Sequence, residues 1–173
     1  RFTVNISGVS GGSAETINLN GKTGFELGDG ATALNFSNVT VGGNTTIATI
    51  TKANTSVGLH NTIFNGNIDS DVNYTLGISG ATTLNGTAAN ANVSMSSGTV
   101  TFNTNSLTNA NAVSFTGGTV NLQTSGFNTY NINNLTSDSN AGYNIDFDAT
   151  NKQADIISAT GTSTGTLEII KLK

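Results

Sequence analysis

The sequence predicts an all-β fold, a right-handed parallel β-helix (β-solenoid) with turns of roughly 20 residues. Three observations carry that expectation. The stretch Val93-Ser94-Met95, with Gly98-Thr99-Val100-Thr101-Phe102 after it, recurs about 20 residues on as Val113-Ser114-Phe115 and Gly118-Thr119-Val120-Asn121-Leu122. Short runs that alternate apolar and polar residues recur along the whole chain, each matching a strand with one buried face. Gly, Asn, Thr and Ser together supply roughly half of the residues, far above ordinary usage, while Pro and Cys are absent.

In chain order, the expected strands centre on Phe2/Val4/Ile6, Ile17/Leu19, Leu34/Phe36, Val39/Val41, Tyr74/Leu76/Ile78, Val93/Met95 and Val100/Phe102. They continue through Val113/Phe115, Val120/Leu122, Ile145/Phe147 and Leu167/Ile169. Gly- and Asn-rich breakers separate them: Gly11-Gly12, Gly28-Asp29-Gly30, Gly42-Gly43-Asn44, Asn65-Gly66 and Gly117-Gly118. Between Gly42 and Asn65 the alternation weakens, and no strand is assigned there.

An antiparallel sandwich is the competing all-β arrangement. Hairpins give no reason for residues 20 apart to match position by position, whereas coil stacking places Val93 on Val113, Met95 on Phe115 and Val100 on Val120. A looser copy upstream sets Tyr74-Thr-Leu76 and Leu84 against Val93-Ser-Met95 and Phe102. At about 20 residues per turn, residues 1–173 form one solenoid of roughly 8 turns and about 40 Å.

Composition excludes several classes of function. The net charge is −4, with six Lys plus Arg and no basic cluster, so nucleic acid and anionic lipid are not expected partners. No apolar run reaches the roughly 18 residues of a membrane span, so this segment is not expected to insert into a membrane. Without Cys there are no disulfides, thiolate zinc sites or cysteine nucleophiles, a composition suited to export in an unfolded state. Arg1-Phe-Thr-Val lacks the basic-then-apolar opening of a secretion leader, and the chain is expected to be a segment of a larger surface protein.

Toward the C-terminus, Gly142-Tyr143-Asn-Ile145-Asp146-Phe147-Asp148 leads to Ala154-Asp155-Ile156-Ile157-Ser-Ala-Thr-Gly161 and then Gly165-Thr-Leu167-Glu-Ile169. This succession resembles the last turns of bacterial autotransporter passenger segments. There an aromatic-led strand precedes an Asp-aliphatic-aliphatic strand, a Gly-containing corner and a Gly-polar-aliphatic strand. The rest of the chain resembles passengers and two-partner haemagglutinins in texture. Ile156 stands where the family commonly has Lys or Arg, and the family's membrane barrel is not in this chain. The resemblance implies a β-helical adhesin or stalk, extracellular at the bacterial cell surface or outer membrane, with surface glycans or proteins as its partners.

Candidates for chemistry are few, and the expectation is no enzyme, no cofactor and no metal. Asp69, in Asn67-Ile68-Asp69, with Asp71 is the alternative catalytic pair, because inverting glycoside hydrolysis uses two carboxylates roughly 6.5 to 9.5 Å apart. It superficially resembles the Asn-x-Asp of polygalacturonases. The paired Asp, Gly-His-Gly and Arg-x-Lys of that family are missing. Asp146 and Asp148 are expected on the water-facing side of a strand whose other face carries Ile145 and Phe147, with calcium as their one conceivable ligand. Asp29 reads as a corner residue, and the lone His60 as part of a turn.

Sequons at Asn5, Asn38, Asn73 and Asn92 are candidate glycan acceptors. A Thr-x-Thr ladder of the kind that matches ice begins at Thr99 and Thr101 and breaks at Asn121. Exposed aromatics and Arg are nearly absent. The segment Ile169-Ile170-Lys171-Leu172-Lys173 either shields the last rung or continues into another, and open ends predict end-to-end self-association.

Overall fold

A computed structural model describes residues 2–9 and 15–172. Among them the chain is all β and winds into a parallel β-solenoid of about 7 turns of roughly 23 residues. Successive turns contribute one strand each to two eight-stranded sheets. The first sheet takes Phe2–Ser7, Ala31–Ser37, Ser56–His60, Tyr74–Ser79, Ala91–Met95, Ala112–Phe115, Leu135–Ser137 and Ser163–Gly165. The second takes Glu15–Asn18, Val39–Gly42, Ile63–Phe64, Ala81–Leu84, Thr99–Phe102, Gly118–Asn121, Ala141–Ile145 and Glu168–Leu172.

The third side is discontinuous. Phe25–Leu27, Thr46–Ile50 and Asn67–Ser70 form a short parallel sheet, prolonged by one bridge from Ile68 to Ala88. A run of turns over residues 103–111 follows, with Leu107 and Ala110 turned into the core. Thr129–Ile132 and Ile156–Ala159 then restore the wall.

Every pleat places alternate residues inside, and stacking turns those positions into columns. Val4, Leu34, Val57, Leu76, Val93, Val113 and Leu135 make one column of the first sheet. Aromatic rings fill the wider parts: Phe36 meets Phe64 at 5.6 Å and Phe115 lies between Phe102 and Tyr143 at 5.8 and 6.2 Å. The columns expected from the near-repeat are all present, Val93 on Val113, Met95 on Phe115 and Val100 on Val120.

Other expectations need correction. Leu84 pairs with Phe102 as expected, but Tyr74 pairs with Ala91 and Leu76 with Val93, two residues away from their expected partners. A slip of two keeps the same side chains inside, so alternation alone could not detect it. Turns average longer than expected because the corners absorb insertions: Val4 and Leu34 are partners 30 residues apart, but Leu76 and Val93 only 17. The weakly alternating stretch after Gly42 holds Thr46–Ile50, Ser56–His60 and Ile63–Phe64.

Ile145 and Phe147 do not share one strand. The chain breaks at Asp146, and Phe147–Asp148 pairs antiparallel with Gln153–Ala154 as a projecting hairpin, leaving Phe147 exposed. With Phe2 and Phe127 also exposed, the outer surface carries more aromatic area than expected. The expected breaker at Gly11-Gly12 and the final Lys173 lie outside the described residues.

Asparagine builds the corners. Between the first and second sheets, consecutive turns place Asn38, Asn61, Gly80, Gly98 and Gly118 in left-handed backbone, with φ of 56°, 48°, 66°, 88° and 82°. Asn and Gly are the residues that reach this region at low cost. Elsewhere the amides pair between turns: Asn35 Nδ2 donates to Asn5 Oδ1 at 2.9 Å, Asn85 Nδ2 to Asn65 Oδ1 at 2.7 Å and Asn111 Nδ2 to Asn92 Oδ1 at 2.7 Å.

Candidate functional site: a polar trough on the first sheet

The outward column of the first sheet reads Asn5, Asn35, Gly58, Gly77 and Ser94 from one turn to the next. Two neighbouring glycines in mid-strand remove the side chains that would otherwise cover the pleat. The result is a trough of about 630 Å³, open to solvent and crossing several turns. His60 and Ser79 edge it, with His60 Nδ1 2.9 Å from Ser79 Oγ. Asn61 Nδ2 donates to His60 Nε2 at 3.1 Å, so the imidazole carries its proton on Nδ1 and donates to Ser79. His60 therefore closes a strand on the sheet surface; it is not the turn residue expected.

The two glycines have different reasons to be there. A Cβ on Gly58 would lie 2.5 Å from Asn35 Oδ1, so Gly58 makes room for the Asn35 amide, which is tied to Asn5. A Cβ on Gly77 would meet nothing within 4 Å. Glycine inside a strand costs about 0.5–1 kcal/mol, and no packing contact among the described residues accounts for it at Gly77.

The carboxylates are distributed over other faces. Asp69 is half-buried on the third wall and accepts from Thr46 Oγ1 at 2.6 Å, whereas Asp71 sits exposed in the bend beyond that strand. The acid sharing Asp69's outward column is Glu26, with Thr49 between them. Two rung spacings put their backbones roughly 10 Å apart. Only the register reveals this pair, because 43 positions separate the two residues in sequence.

Asp146 sits at the base of the projecting hairpin, and Asp148 ends its first strand just before the turn. Asp148 accepts from the Asn151 backbone amide at 3.0 Å, from Asn151 Nδ2 at 2.7 Å and from the Thr150 amide at 2.9 Å, and these bonds hold its carboxyl below the usual range. Asp155, which attracted no functional reading, is the buried acid: its two oxygens accept from the backbone N–H of Asn128 and Asp146 at 2.9 and 2.7 Å. It ties the hairpin to the loop after Gln123.

At Asp29 the expected corner is present, and an ion pair with Lys52 lowers its pKa. Among the described residues no three His, Cys, Asp or Glu side chains converge as metal ligands. On the second sheet the column Thr83, Thr101, Asn121, Asn144 interrupts the threonine ladder where the sequence places the break.

No protein-family model matches the chain, and comparison with curated proteins and with solved structures gives no match.

Proposed function

We propose that this solenoid is a non-enzymatic adhesive or stalk segment of a secreted, surface-displayed bacterial protein of the autotransporter type, and that the trough on its first sheet is the adhesive face. Gly77 carries the reading. Its cost to the strand has no counterpart in the packing, and a strand glycine of that kind marks a place where another molecule approaches the backbone closely. The walls offer neutral amides and hydroxyls from Asn5, Asn35, Ser79 and Ser94, suited to glycan hydroxyls or to an extended peptide. Such contacts are individually weak, and display in many copies raises the effective concentration enough to make them useful.

The test is a multivalent display of the chain on an array of glycans and extracellular-matrix proteins, run beside Gly77→Val. The variant's Cβ enters open space, so the fold persists while the trough fills. Binding by the parent that disappears in Gly77→Val supports the adhesive face. Equal binding by both moves adhesion to another face, and a blank array for both leaves the stalk.

A polysaccharide-acting enzyme is the second reading, favoured by the alignment of Glu26 and Asp69 across Thr49. It pairs Asp69 with Glu26 in place of Asp71. Release of reducing ends or unsaturated sugars from pectins, alginates or chondroitin, abolished in Asp69→Asn and Glu26→Gln, would replace the adhesive reading.

A further inference from the structure

The floor of the trough is glycine on two successive turns, Gly58 and Gly77. Two residues away along each strand, on either side, the next outward positions form its rims. One rim is Ser56, Thr75 and Asn92, which are partners in register. The other is His60 on Ser79, with Ser96 following on the next turn. Each of these rungs therefore offers a hydroxyl, amide or imidazole on both sides of the floor. The rims stand four residues apart, roughly 13 Å at about 3.3 Å per residue.

Three features of this arrangement select the ligand. The lining and both rims hold no Lys, Arg, Asp or Glu, so an acidic or sulfated sugar would give up hydration and meet no opposite charge. The strands beneath, Ser56–His60 and Tyr74–Ser79, are each paired on both edges, so their N–H and C=O groups are committed to the ladders. An extended peptide joins a sheet by adding to a free edge, and this face has none. Lastly, the bonding groups recur at the rung step of about 4.8 Å along the axis. A polypeptide advances about 3.3 Å per residue and falls out of step at once, whereas a straight chain of equatorially linked hexoses advances by close to one rung per sugar.

We infer, resting on the adhesive reading of this face, that the trough takes one strand of a linear, uncharged polysaccharide of equatorially linked hexoses, laid along the solenoid axis with one sugar per rung. Equatorial linkage puts C–H groups on the two faces of such a ribbon and hydroxyls on its two edges. One C–H face lies on the glycine floor, where a Cβ at Gly77 would meet nothing within 4 Å, and the edges reach the rims. Successive sugars are turned over, which exchanges their edges, and rims that both bond at each rung accept either edge. His60 donates to Ser79 Oγ, which leaves the Ser79 proton for a sugar hydroxyl. Asn35 and Ser94 lie one rung beyond the glycines on either side and reach the flanking sugars.

The test displays the 173-residue chain multivalently on sensor beads and titrates cello- and chito-oligosaccharides from disaccharide to hexasaccharide. Maltohexaose, whose axial bonds coil the chain, and a mannuronate hexamer, extended but acidic, are the controls. Binding should tighten by about tenfold or more from disaccharide to tetrasaccharide and then level off, with neither control bound. Gly77→Val should abolish it. The double variant Thr75→Ala with Ser79→Ala leaves the floor untouched and should weaken the longer oligosaccharides several-fold, and it decides the matter if Gly77→Val loses its β-sheet circular dichroism.

Preference for either control, no gain with chain length, or oligosaccharide binding unchanged in the variants overturns the proposal. Matrix proteins that bind the parent and not Gly77→Val, with no oligosaccharide bound, would leave the adhesive face standing and remove its polysaccharide. If nothing binds, both fall.

Discussion

Gly98 stacks directly on Gly80 at the corner between the two long sheets: a Cβ on Gly98 would lie 2.3 Å from the Gly80 backbone nitrogen. Both residues are in left-handed backbone, so the corner excludes side chains by dihedral angle and by contact at once. Gly98→Ala should therefore destabilise the fold by about 2 kcal/mol or more, combining left-handed strain of about 1–3 kcal/mol with displacement of the adjoining turn. Urea unfolding followed by circular dichroism reads the shift in midpoint. A loss below about 0.5 kcal/mol would mean that the turns are not stacked this closely.

Phe115 is fully buried between Phe102 and Tyr143, in the column where Met95 precedes it. Phe115→Ala should cost about 3–5 kcal/mol, the range for a large aromatic removed from a packed interior. Met in its place should cost less than about 1.5 kcal/mol, because an unbranched chain refills most of the volume. Losses below about 1 kcal/mol for both Ala and Met would place the ring outside the core.

The column that contains Phe115 was legible in the sequence, and so was most of the solenoid, because stacking forces the same pleat to recur. Legibility failed where that repetition loosens. The third wall has no fixed distance from the other two, so Asn67–Ser70 and Thr129–Ile132 left no periodic trace. Tyr74 was displaced by two positions because its true and expected partners point inward alike. The trough was hidden for a different reason. Gly77 lies inside the expected strand of Tyr74, Leu76 and Ile78, and Gly58 lies where no strand is expected, so neither stands out in a chain with 21 glycines, and only the pairing of Gly58 with Gly77 shows that they adjoin on one face. Glu26 and Asp69 met through register in the same way.

Asp155 tests how the projecting hairpin is held. Its carboxylate accepts two backbone N–H bonds in a buried position, and Asn in its place presents an amide nitrogen to one of those donors. Asp155→Asn should destabilise by about 1–3 kcal/mol, the cost of leaving a buried donor without a partner. Hydrogen exchange should localise the effect, with the amides of Asn128 and Asp146 losing protection and those of the central turns retaining it. Uniform loss of protection would mean that the hairpin and the stack unfold as one unit.

The three tyrosines of the chain give the pH dependence. Tyr74, Tyr130 and Tyr143 are all buried, and burial raises each phenol above its ordinary value near 10. Hydrogen bonds oppose the shift at Tyr130 and Tyr143, where Thr124 and Ser137 are the respective partners. A phenol with a folded pKa above its unfolded one contributes stability in full below the unfolded value, and that contribution is lost as pH rises toward the folded one. Stability should thus be level through neutral pH and fall above about pH 10.

In ultraviolet titration the folded protein should show almost no tyrosinate absorbance at the pH where free tyrosine is half ionised. The absorbance should then appear together with loss of the β-sheet signal. Ionisation of even one tyrosine near pH 10 in the folded state would place that ring at the surface, and Tyr143→Phe would show whether the exposed ring is the one packed on Phe115.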